Sequence, residues 1–152
     1  MAEQIPSGQE PQPSAEDVVV FSPELLKLAK QRQEHLEECR QAADSGDCAA
    51  AVQMGVNYLY GTGGVQRDTN QAFYWFSQSA PDDPVGLYWQ AVCYDSGAGV
   101  EADEKKAFSL FQESADMDYA PAICDLGVCY ENGQGTEKDM DKAVALYKKA
   151  AE

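Results

Sequence analysis

A tyrosine followed three residues later by a glycine occurs three times along the chain at a fixed spacing of 36 residues. The three copies are Tyr58 with Gly61, Tyr94 with Gly97, and Tyr130 with Gly133. Each copy is followed by a short glycine-containing loop, an aspartate, and a run of alanine and aromatic residues at helical spacing. A fixed period of about 20–50 residues indicates a repeat array, in which each unit buries its apolar face against its neighbours. Function is therefore expected on an extended surface.

The chain is strongly acidic, and its charge is spread along its length. Its 152 residues fit a single domain, and the net charge is −15. Residues 1–22 contribute four acids and no bases, so a charge of −11 remains on residues 23–152. Because an acidic surface repels phosphate backbones and anionic lipid headgroups, we expect neither nucleic-acid nor membrane binding. A basic protein or peptide partner is favoured instead. The net charge alone predicts no oligomeric state.

The composition predicts a cytoplasmic protein. No stretch approaches the roughly 18–20 apolar residues that span a bilayer, and the N-terminus lacks the features of a secretory signal. The five cysteines include no C-x-x-C pair. Only Cys39 and Cys48, on either side of a predicted turn, are placed so that they could form a disulfide. A reduced, intracellular protein is the favoured interpretation.

The sequence divides into an N-terminal segment and a helical repeat domain. Residues 1–21 are rich in Pro, Glu, Gln and Ser, and are predicted to be disordered. Within them, the apolar residues 18–21 either pack onto the following helix or act as a short docking motif. The repeat domain is predicted at residues 22–152, with a leading helix at 23–44 and repeats at about 47–82, 83–118 and 119–152.

Capping residues predict where each helix begins and ends. Ser22 precedes a leading helix with an apolar stripe of Leu25, Leu26, Leu28, Ala29, His35, Leu36, Cys39 and Ala43. The first helix of each repeat, the A helix, is predicted at 48–60, 84–96 and 120–132, and each ends at one of the glycines that follow the tyrosines. The second helix of each repeat, the B helix, is predicted to begin at an aspartate N-cap: Asp68, Asp103 or Asp139. No strand is predicted.

The third repeat carries the most complete motif: Leu126, Gly127, Tyr130, Gly133, Gly135, Asp139, Lys142, Ala143, Leu146, Tyr147, Lys149, Ala150 and Ala151. These residues, with their counterparts in the other two copies, resemble the Sel-1-like repeat, a relative of the tetratricopeptide repeat. The resemblance covers about residues 24–152. It implies an all-α fold, a right-handed α-solenoid of antiparallel helix pairs. It also implies an adaptor or scaffold that binds a protein or peptide partner on its concave face.

Two alternatives to the scaffold remain. A cysteine-rich bacterial branch of the family implies a small-ligand binder or a weak hydrolase, but the positions that match its bridging cysteines hold other residues: Ala43 and Ala51, Ala80 and Leu87, Ala115 and Ile123. His35 is the only histidine, and no triad, phosphate loop or metal-ligand spacing accompanies it. We therefore predict no enzyme activity, no cofactor and no metal. The other alternative is a structural fragment of a longer repeat array.

The partner is predicted to bind the inner wall, which we define as the A-helix face that does not pack on the B helices. Its candidate residues are Val52, Val56, Leu59, Tyr60, Tyr88, Trp89, Val92, Asp95, Ser96, Val128, Glu131 and Asn132. Asp95 and Glu131 are placed to receive a Lys or Arg side chain. The valines either line side-chain pockets or pack between repeats. Trp89, which replaces polar residues of the other copies, either anchors the partner or fills a gap beside a neighbouring helix.

Overall fold

The structure is a computed structural model that describes residues 22–79 and 81–152. The predicted disordered segment, residues 1–21, lies outside the described residues. The same holds for the two alternatives proposed for residues 18–21.

The described residues form seven α-helices and no strand. In chain order these helices are α1 (Pro23–Asp44), α2 (Cys48–Tyr60), α3 (Thr69–Ser77), α4 (Pro84–Ser96), α5 (Glu104–Asp116), α6 (Ala120–Asn132) and α7 (Met140–Ala150). The A helices are thus α2, α4 and α6, and the B helices are α3, α5 and α7. The all-α prediction is confirmed, and the A helices have the bounds that the sequence predicts.

Side chains and glycines cap these helices as the sequence predicts. Gly61, Gly97 and Gly133 end the A helices with φ values of 68°, 72° and 70°. This left-handed conformation suits glycine because glycine has no Cβ. Aspartate side chains accept backbone hydrogen bonds at the start of five helices: Asp47 at α2, Asp68 at α3, Asp83 at α4, Asp103 at α5 and Asp139 at α7.

Replacing the N-cap of the shortest helix should measurably destabilise the fold. The Asp68 carboxylate accepts hydrogen bonds from the backbone N–H groups of Asn70 (3.0 Å) and Gln71 (3.2 Å) at the start of α3. We expect Asp68→Ala to lower the free energy of unfolding by about 1 kcal/mol, as is typical of a lost N-cap. Urea denaturation measures the change, and Asp82→Ala, at an exposed aspartate that caps no helix, is the control. Equal losses in the two variants would contradict a capping role.

The helices stack in chain order, and the core runs along the stack. Each helix packs on the next, and α2 also contacts α4, so these two A helices lie side by side on one face. The buried residues form three successive clusters. One lies among α1, α2 and α3 (Ala43, Ala51, Met54, Trp75), and the next among α2, α3 and α4 (Val52, Leu59, Ala72, Phe76, Cys93). The third, from α4 to α6, includes Ala91, Ala107, Phe111, Ile123 and Leu126.

The same pair of contacts joins each repeat to the one before it. The Tyr94 ring meets the Phe73 ring edge-on at 5.6 Å, and the Tyr130 ring meets the Phe108 ring in the same way at 5.5 Å. Beside each aromatic pair, the loop glycine of the later repeat lies against the backbone of the earlier B helix. The glycines are Gly99, against Thr69, and Gly135, against Glu104. A side chain has no room at these two contacts, so the inter-repeat seam requires glycine.

The apolar stripe predicted for α1 is only partly packed. Leu36, Cys39 and Ala43 contact the core, and the Cys39 thiol donates a hydrogen bond to the Ala50 carbonyl at 3.5 Å. The first turns are different: Leu25, Leu26 and Leu28 are 54%, 57% and 56% exposed, and Ala29 and His35 are exposed too. The predicted apolar stripe is therefore packed only in the second half of α1. The first turns of α1 are uncovered because α1 is longer than its neighbour. The 22 residues of α1 extend about 33 Å, whereas the 13 residues of α2 extend only about 20 Å.

Candidate functional site: the inner wall

Four of the predicted inner-wall residues line one cleft. The cleft has a volume of about 600 Å³ and lies between the C-terminal ends of α2 and α4. Its lining includes Leu59, Tyr60, Val92 and Ser96 from the predicted set, together with Arg67, Thr69, Gly97 and Ala98. Sequence reasoning missed Arg67 and Thr69, because they belong to the loop and to the B helix of the first repeat. The A-helix face and the inter-helix loop thus form this cleft together.

The aliphatic residues of the predicted set mainly hold the repeats together. Val52 and Leu59 are each 8% exposed and belong to the core. Val56 and Val92 are half-buried and pack against the core clusters, and Val128 is half-buried as well. These contacts favour the interpretation in which the valines form seams between repeats. A contribution of these five residues to partner binding stays a prediction.

Aromatic rings form a continuous series across the inner wall, and we call this series the aromatic ladder. It runs from Tyr60 to Trp89 (ring centroids 6.3 Å apart), from Trp89 to Tyr88 (5.4 Å) and from Tyr88 to Tyr119 (5.4 Å). Trp89 also stacks on Phe76 of α3 at 5.5 Å, with an interplanar angle of 11°. Trp89 therefore fills the space beside a neighbouring helix, and its ring supports the tyrosines on either side. The ladder links all three repeats.

Asp125 lies at the third-repeat end of the ladder. It is half-buried and lies near the Tyr88 hydroxyl. Burial raises the pKa of Tyr88, the nearby Asp125 carboxylate raises it further, and the Tyr119 and Tyr60 hydroxyls add to the effect. Burial also raises the pKa of Asp125; the Tyr88 hydroxyl opposes this shift, and the charge of Asp95 adds to it. Asp125 is therefore a partly desolvated carboxylate.

Glu131, a predicted inner-wall residue, is engaged by the last helix. The Tyr147 hydroxyl of α7 donates a hydrogen bond to Glu131 Oε2 at 2.6 Å. This bond is the main reason why the pKa of Tyr147 rises to about 12, and burial and the Glu131 charge contribute as well. Asp95, Ser96 and Asn132 are exposed. The hydrogen bond fixes the Glu131 carboxylate, which retains further lone pairs for a partner.

The acids of the inner wall have no cationic partner within the described part of the chain. The ion pair that the described residues do form joins Lys149 to Asp118 at 3.4 Å, and it involves none of Asp95, Asp125 and Glu131. The charge of Asp95 lies close enough to Asp125 to disfavour the charged form of the Asp125 carboxyl. Asp95, Asp125 and Glu131 therefore give the inner wall negative charge that no ion pair among the described residues neutralises, and Arg67 is the cation that lines the adjacent cleft.

The buried cysteines are not poised as nucleophiles. Burial raises the pKa of the Cys93 thiol to about 11, and burial together with the charges of Asp95, Asp125 and Glu104 does the same for Cys129. Because the thiolate is the reactive form, these two thiols are inert at neutral pH. Within residues 22–79 and 81–152, no three potential metal-ligating side chains are grouped to hold an ion. None of the helices described is long and apolar enough to cross a membrane.

A family model and a curated protein match the chain. The model of the Sel1 repeat matches residues 48–80, 84–119 and 120–152. The chain is also 32% identical over 75 residues to chitin synthase regulatory factor 3 of Schizosaccharomyces pombe. That alignment covers 49% of this chain but only 8% of the yeast protein, so the chain spans less than a tenth of this relative.

Solved structures share the fold. A Sel1 repeat protein from Oxalobacter formigenes has a TM-score of 0.70 and 28% identity, covering 76% of this chain and 88% of its own. The c5321 protective antigen of uropathogenic Escherichia coli, described as displaying an SLR fold, has a TM-score of 0.74 and 27% identity, covering 84% of this chain and 29% of its own. Helicobacter pylori cysteine rich protein B has a TM-score of 0.59 and 17% identity, covering 82% of this chain and 89% of its own; it is a likeness of fold alone.

Proposed function

The chain belongs to the Sel1 repeat family, and on that premise we propose that it is a non-catalytic scaffold that binds a protein or peptide segment along its inner wall. Sel1 repeat proteins generally serve as scaffolds for protein interactions. The yeast relative carries the name of a regulatory factor, which fits a binding role better than a catalytic one. The cleft between α2 and α4, next to the aromatic ladder, is the observation that carries the proposal.

The cleft and the ladder have the properties of a peptide-binding surface. A volume of about 600 Å³ lies within the range of about 300–1,000 Å³ that is usual for ligand pockets. Tyr60 is 60% exposed although it is large and mostly apolar. Exposed aromatic side chains that rest on a rigid base are typical binding hot spots, since they bury much area at a low cost in conformational entropy.

The size and charge of the wall define the partner more closely. Packed helices lie about 8–10 Å apart, which makes the wall roughly 30 Å long over the three repeats. An extended segment of about 8–10 residues spans that distance. Asp95, Asp125 and Glu131 make the wall acidic, so a segment with basic residues is favoured over a neutral or acidic one. A basic segment also suits the net charge of −15.

Removing a tyrosine ring of the ladder, either the exposed Tyr60 or the half-buried Tyr88, should weaken binding. We expect Tyr60→Ala and Tyr88→Ala each to reduce affinity for segments selected from an array of ten-residue peptides by about tenfold, as for moderate hot spots. Tyr74→Ala is the matched control, because Tyr74 is similarly exposed (52%, against 60% for Tyr60) but lies on the B helix α3. Fluorescence anisotropy measures the affinities, and circular dichroism checks that helicity is kept.

The control variant decides which face binds. If Tyr74→Ala weakens the selected peptides while Tyr60→Ala and Tyr88→Ala leave their affinity unchanged, the partner binds the B-helix side and the inner-wall assignment is wrong. An array that contains no binder at all would count against a peptide-binding scaffold.

A further inference from the structure

We propose that the cleft between α2 and α4 holds one Asp or Glu side chain of the bound segment, with the Arg67 guanidinium as its counter-charge. We call this position the Arg67 subsite. The inference rests on the proposed scaffold function and deepens it, because it assigns one position of the segment to an acidic residue. The basic residues of the segment then face the acids of the inner wall.

The loop after α2 fixes the position of Arg67. The Asp68 backbone N–H donates a hydrogen bond to the Tyr58 carbonyl at 2.9 Å, which ties the end of the loop to α2. Arg67 therefore lies directly against Gly61, where an added Cβ would be 3.1 Å from the Arg67 backbone nitrogen and 3.3 Å from its Cβ. From this backbone position the Arg67 side chain lines the cleft together with Tyr60.

The Arg67 guanidinium is available to a ligand. Arg67 is exposed, and within the described residues its side chain forms no ion pair and no hydrogen bond. A guanidinium has five N–H donors in a planar fork that matches the two oxygens of a carboxylate. The Thr69 hydroxyl, which also lines the cleft, is a further donor, whereas the Ser96 hydroxyl donates to the Val92 carbonyl at 2.8 Å. The polar part of the lining therefore favours a negatively charged acceptor.

The apolar part of the lining strengthens such an ion pair. Leu59, Val92, Ala98 and the Tyr60 ring provide carbon surface in the same cleft as Arg67. A segment that covers this surface excludes water from the ion pair, and opposite charges attract more strongly in less polar surroundings. The Tyr60 ring already rests on the edge of Trp89, with the ring centroids 6.3 Å apart, so this side of the cleft is ordered before the segment binds.

The equivalent loop positions of the other repeats provide a comparison. In each repeat the residue before the N-cap aspartate of the B helix lies against the glycine that ends the A helix: Arg67 against Gly61, Ala102 against Gly97, and Lys138 against Gly133. The second repeat therefore has no cation at this position. Lys138 follows α6, and within the described residues no further A helix follows to form a cleft with it. Of these three positions, the first alone places a cation between two A helices.

The charge of the remaining wall makes the Arg67 subsite selective. The net charge is −15, and Asp125 and Glu131 lie on α6, so acidic residues elsewhere in the segment are disfavoured. Two A-helix spacings separate α6 from α2, roughly 16–20 Å, which an extended chain spans in about five or six residues. An acid in the cleft and a basic residue about five or six positions away would therefore fix the direction of the segment along the wall.

The test combines a change in the protein with a change in the peptide. The probes are the tightest-binding array peptide, with an amidated C-terminus, and versions in which each Asp or Glu in turn is replaced by Asn or Gln. We expect one replacement to weaken binding to wild-type protein about fivefold, the upper end for an exposed ion pair. We expect Arg67→Gln to weaken the parent peptide by a similar factor and to leave that amide peptide within about twofold. Such non-additivity is the property of a direct contact.

Lys138→Gln is the matched control. It removes the same charge from the equivalent exposed loop position of the third repeat, so it should change the affinity for the parent peptide less than twofold at physiological salt. If Arg67→Gln and Lys138→Gln weaken binding equally, the Arg67 subsite is ruled out and the scaffold function stands, provided that Tyr60→Ala still weakens the same peptide. If Tyr60→Ala has no effect either, both proposals fail.

A further peptide tests the direction of binding. Exchanging the places of the essential acid and the basic residue keeps the composition and the net charge of the peptide. A general attraction between opposite charges predicts equal affinity for the two peptides, whereas the Arg67 subsite predicts at least about fivefold weaker binding of the exchanged peptide. Equal affinities would overturn the proposal, and so would a tightest-binding array peptide that contains no acid.

Discussion

Gly99→Ala is expected to lower the free energy of unfolding by about 3 kcal/mol. The φ of Gly99 is +72°, which costs an alanine about 1–2 kcal/mol. The added methyl group would also press against the backbone of the preceding repeat, where its Cβ would lie 2.7 Å from the Thr69 carbonyl carbon and 3.1 Å from the Asn70 Cα. Overpacking of this kind adds about 1–3 kcal/mol, because backbone cannot move aside as a flexible side chain can.

Gly46→Ala separates the two contributions. The φ of Gly46 is also positive, +97°, but no atom lies within 4 Å of the place where its Cβ would be. Only the backbone strain remains at this position, so the loss should be about 1–2 kcal/mol. Chemical denaturation of both variants, followed by circular dichroism at 222 nm, gives the comparison. If the two losses are equal, the contact between Gly99 and α3 does not contribute to the seam between repeats.

The same variant tests whether the repeats unfold together. In a repeat array, stability is approximately a sum of the stabilities of the units and of the interfaces between neighbours. Gly99 lies at the interface between the first and second repeats, next to the ring contact of Phe73 with Tyr94. Weakening this interface should therefore broaden the unfolding transition as well as shift its midpoint, because the first repeat becomes less coupled to the others.

The sequence predicts the fold well because the decisive signals are local. An aspartate that caps a helix and a glycine that ends one act through the backbone within about four residues. Gly97, for example, ends α4, and Asp103 begins α5, in both cases without help from distant residues. The 36-residue period then requires that the helix pairs stack, since a single pair cannot bury its apolar face. Local rules and the period together determine the α-solenoid.

The binding surface is harder to predict because it depends on how the repeats are placed in space. Tyr119 and Tyr88 are 31 residues apart, and their contact depends on the distance between α4 and α6. Nothing in the sequence distinguishes Asp125 from the other acids, and only the fold brings its charge near enough to raise the pKa of Tyr88. At Leu25 the predicted apolar pattern is present, but α2 is too short to cover it. Periodicity identifies an apolar face without identifying what lies against it.

The aromatic ladder is supported by the core beneath it. Trp89 stacks on Phe76, which is 0% exposed, and Tyr60 meets the edge of Trp89. Phe76 is in turn held against α2 at Gly55, where even a Cβ would approach the Phe76 Cδ1 to 2.5 Å. The position of the exposed Tyr60 ring therefore depends on a buried ring two contacts away. A change at Phe76 should alter both stability and the binding surface.

Phe76→Ala is expected to lower the free energy of unfolding by about 3–5 kcal/mol, the usual loss for a fully buried phenylalanine. It should also release Trp89 from its stacked position, so that Trp89 fluorescence shifts to longer wavelength as water reaches the ring. The fluorescence is measured in a Trp75→Phe background, so that Trp89 is the one remaining tryptophan. Trp75→Phe loses no hydrogen bond, because the buried Trp75 Nε1 has no partner among the described residues. It does remove part of a buried ring, so Trp75→Phe alone is the reference for both measurements.

Phe108→Ala in the same background is the matched control. Phe108 is half-buried at the seam between the second and third repeats, where it contacts Tyr130, and its side chain takes no part in the aromatic ladder. Phe108→Ala should lower the free energy of unfolding by less than Phe76→Ala does, because a half-buried ring buries less apolar area. The wavelength of Trp89 emission should stay unchanged in the folded Phe108→Ala protein. If Phe76→Ala destabilises the fold while Trp89 emission and peptide affinity stay at their wild-type values, the ladder does not depend on the core. The binding surface would then be held by the contacts of the A helices with one another, such as those of α2 with α4.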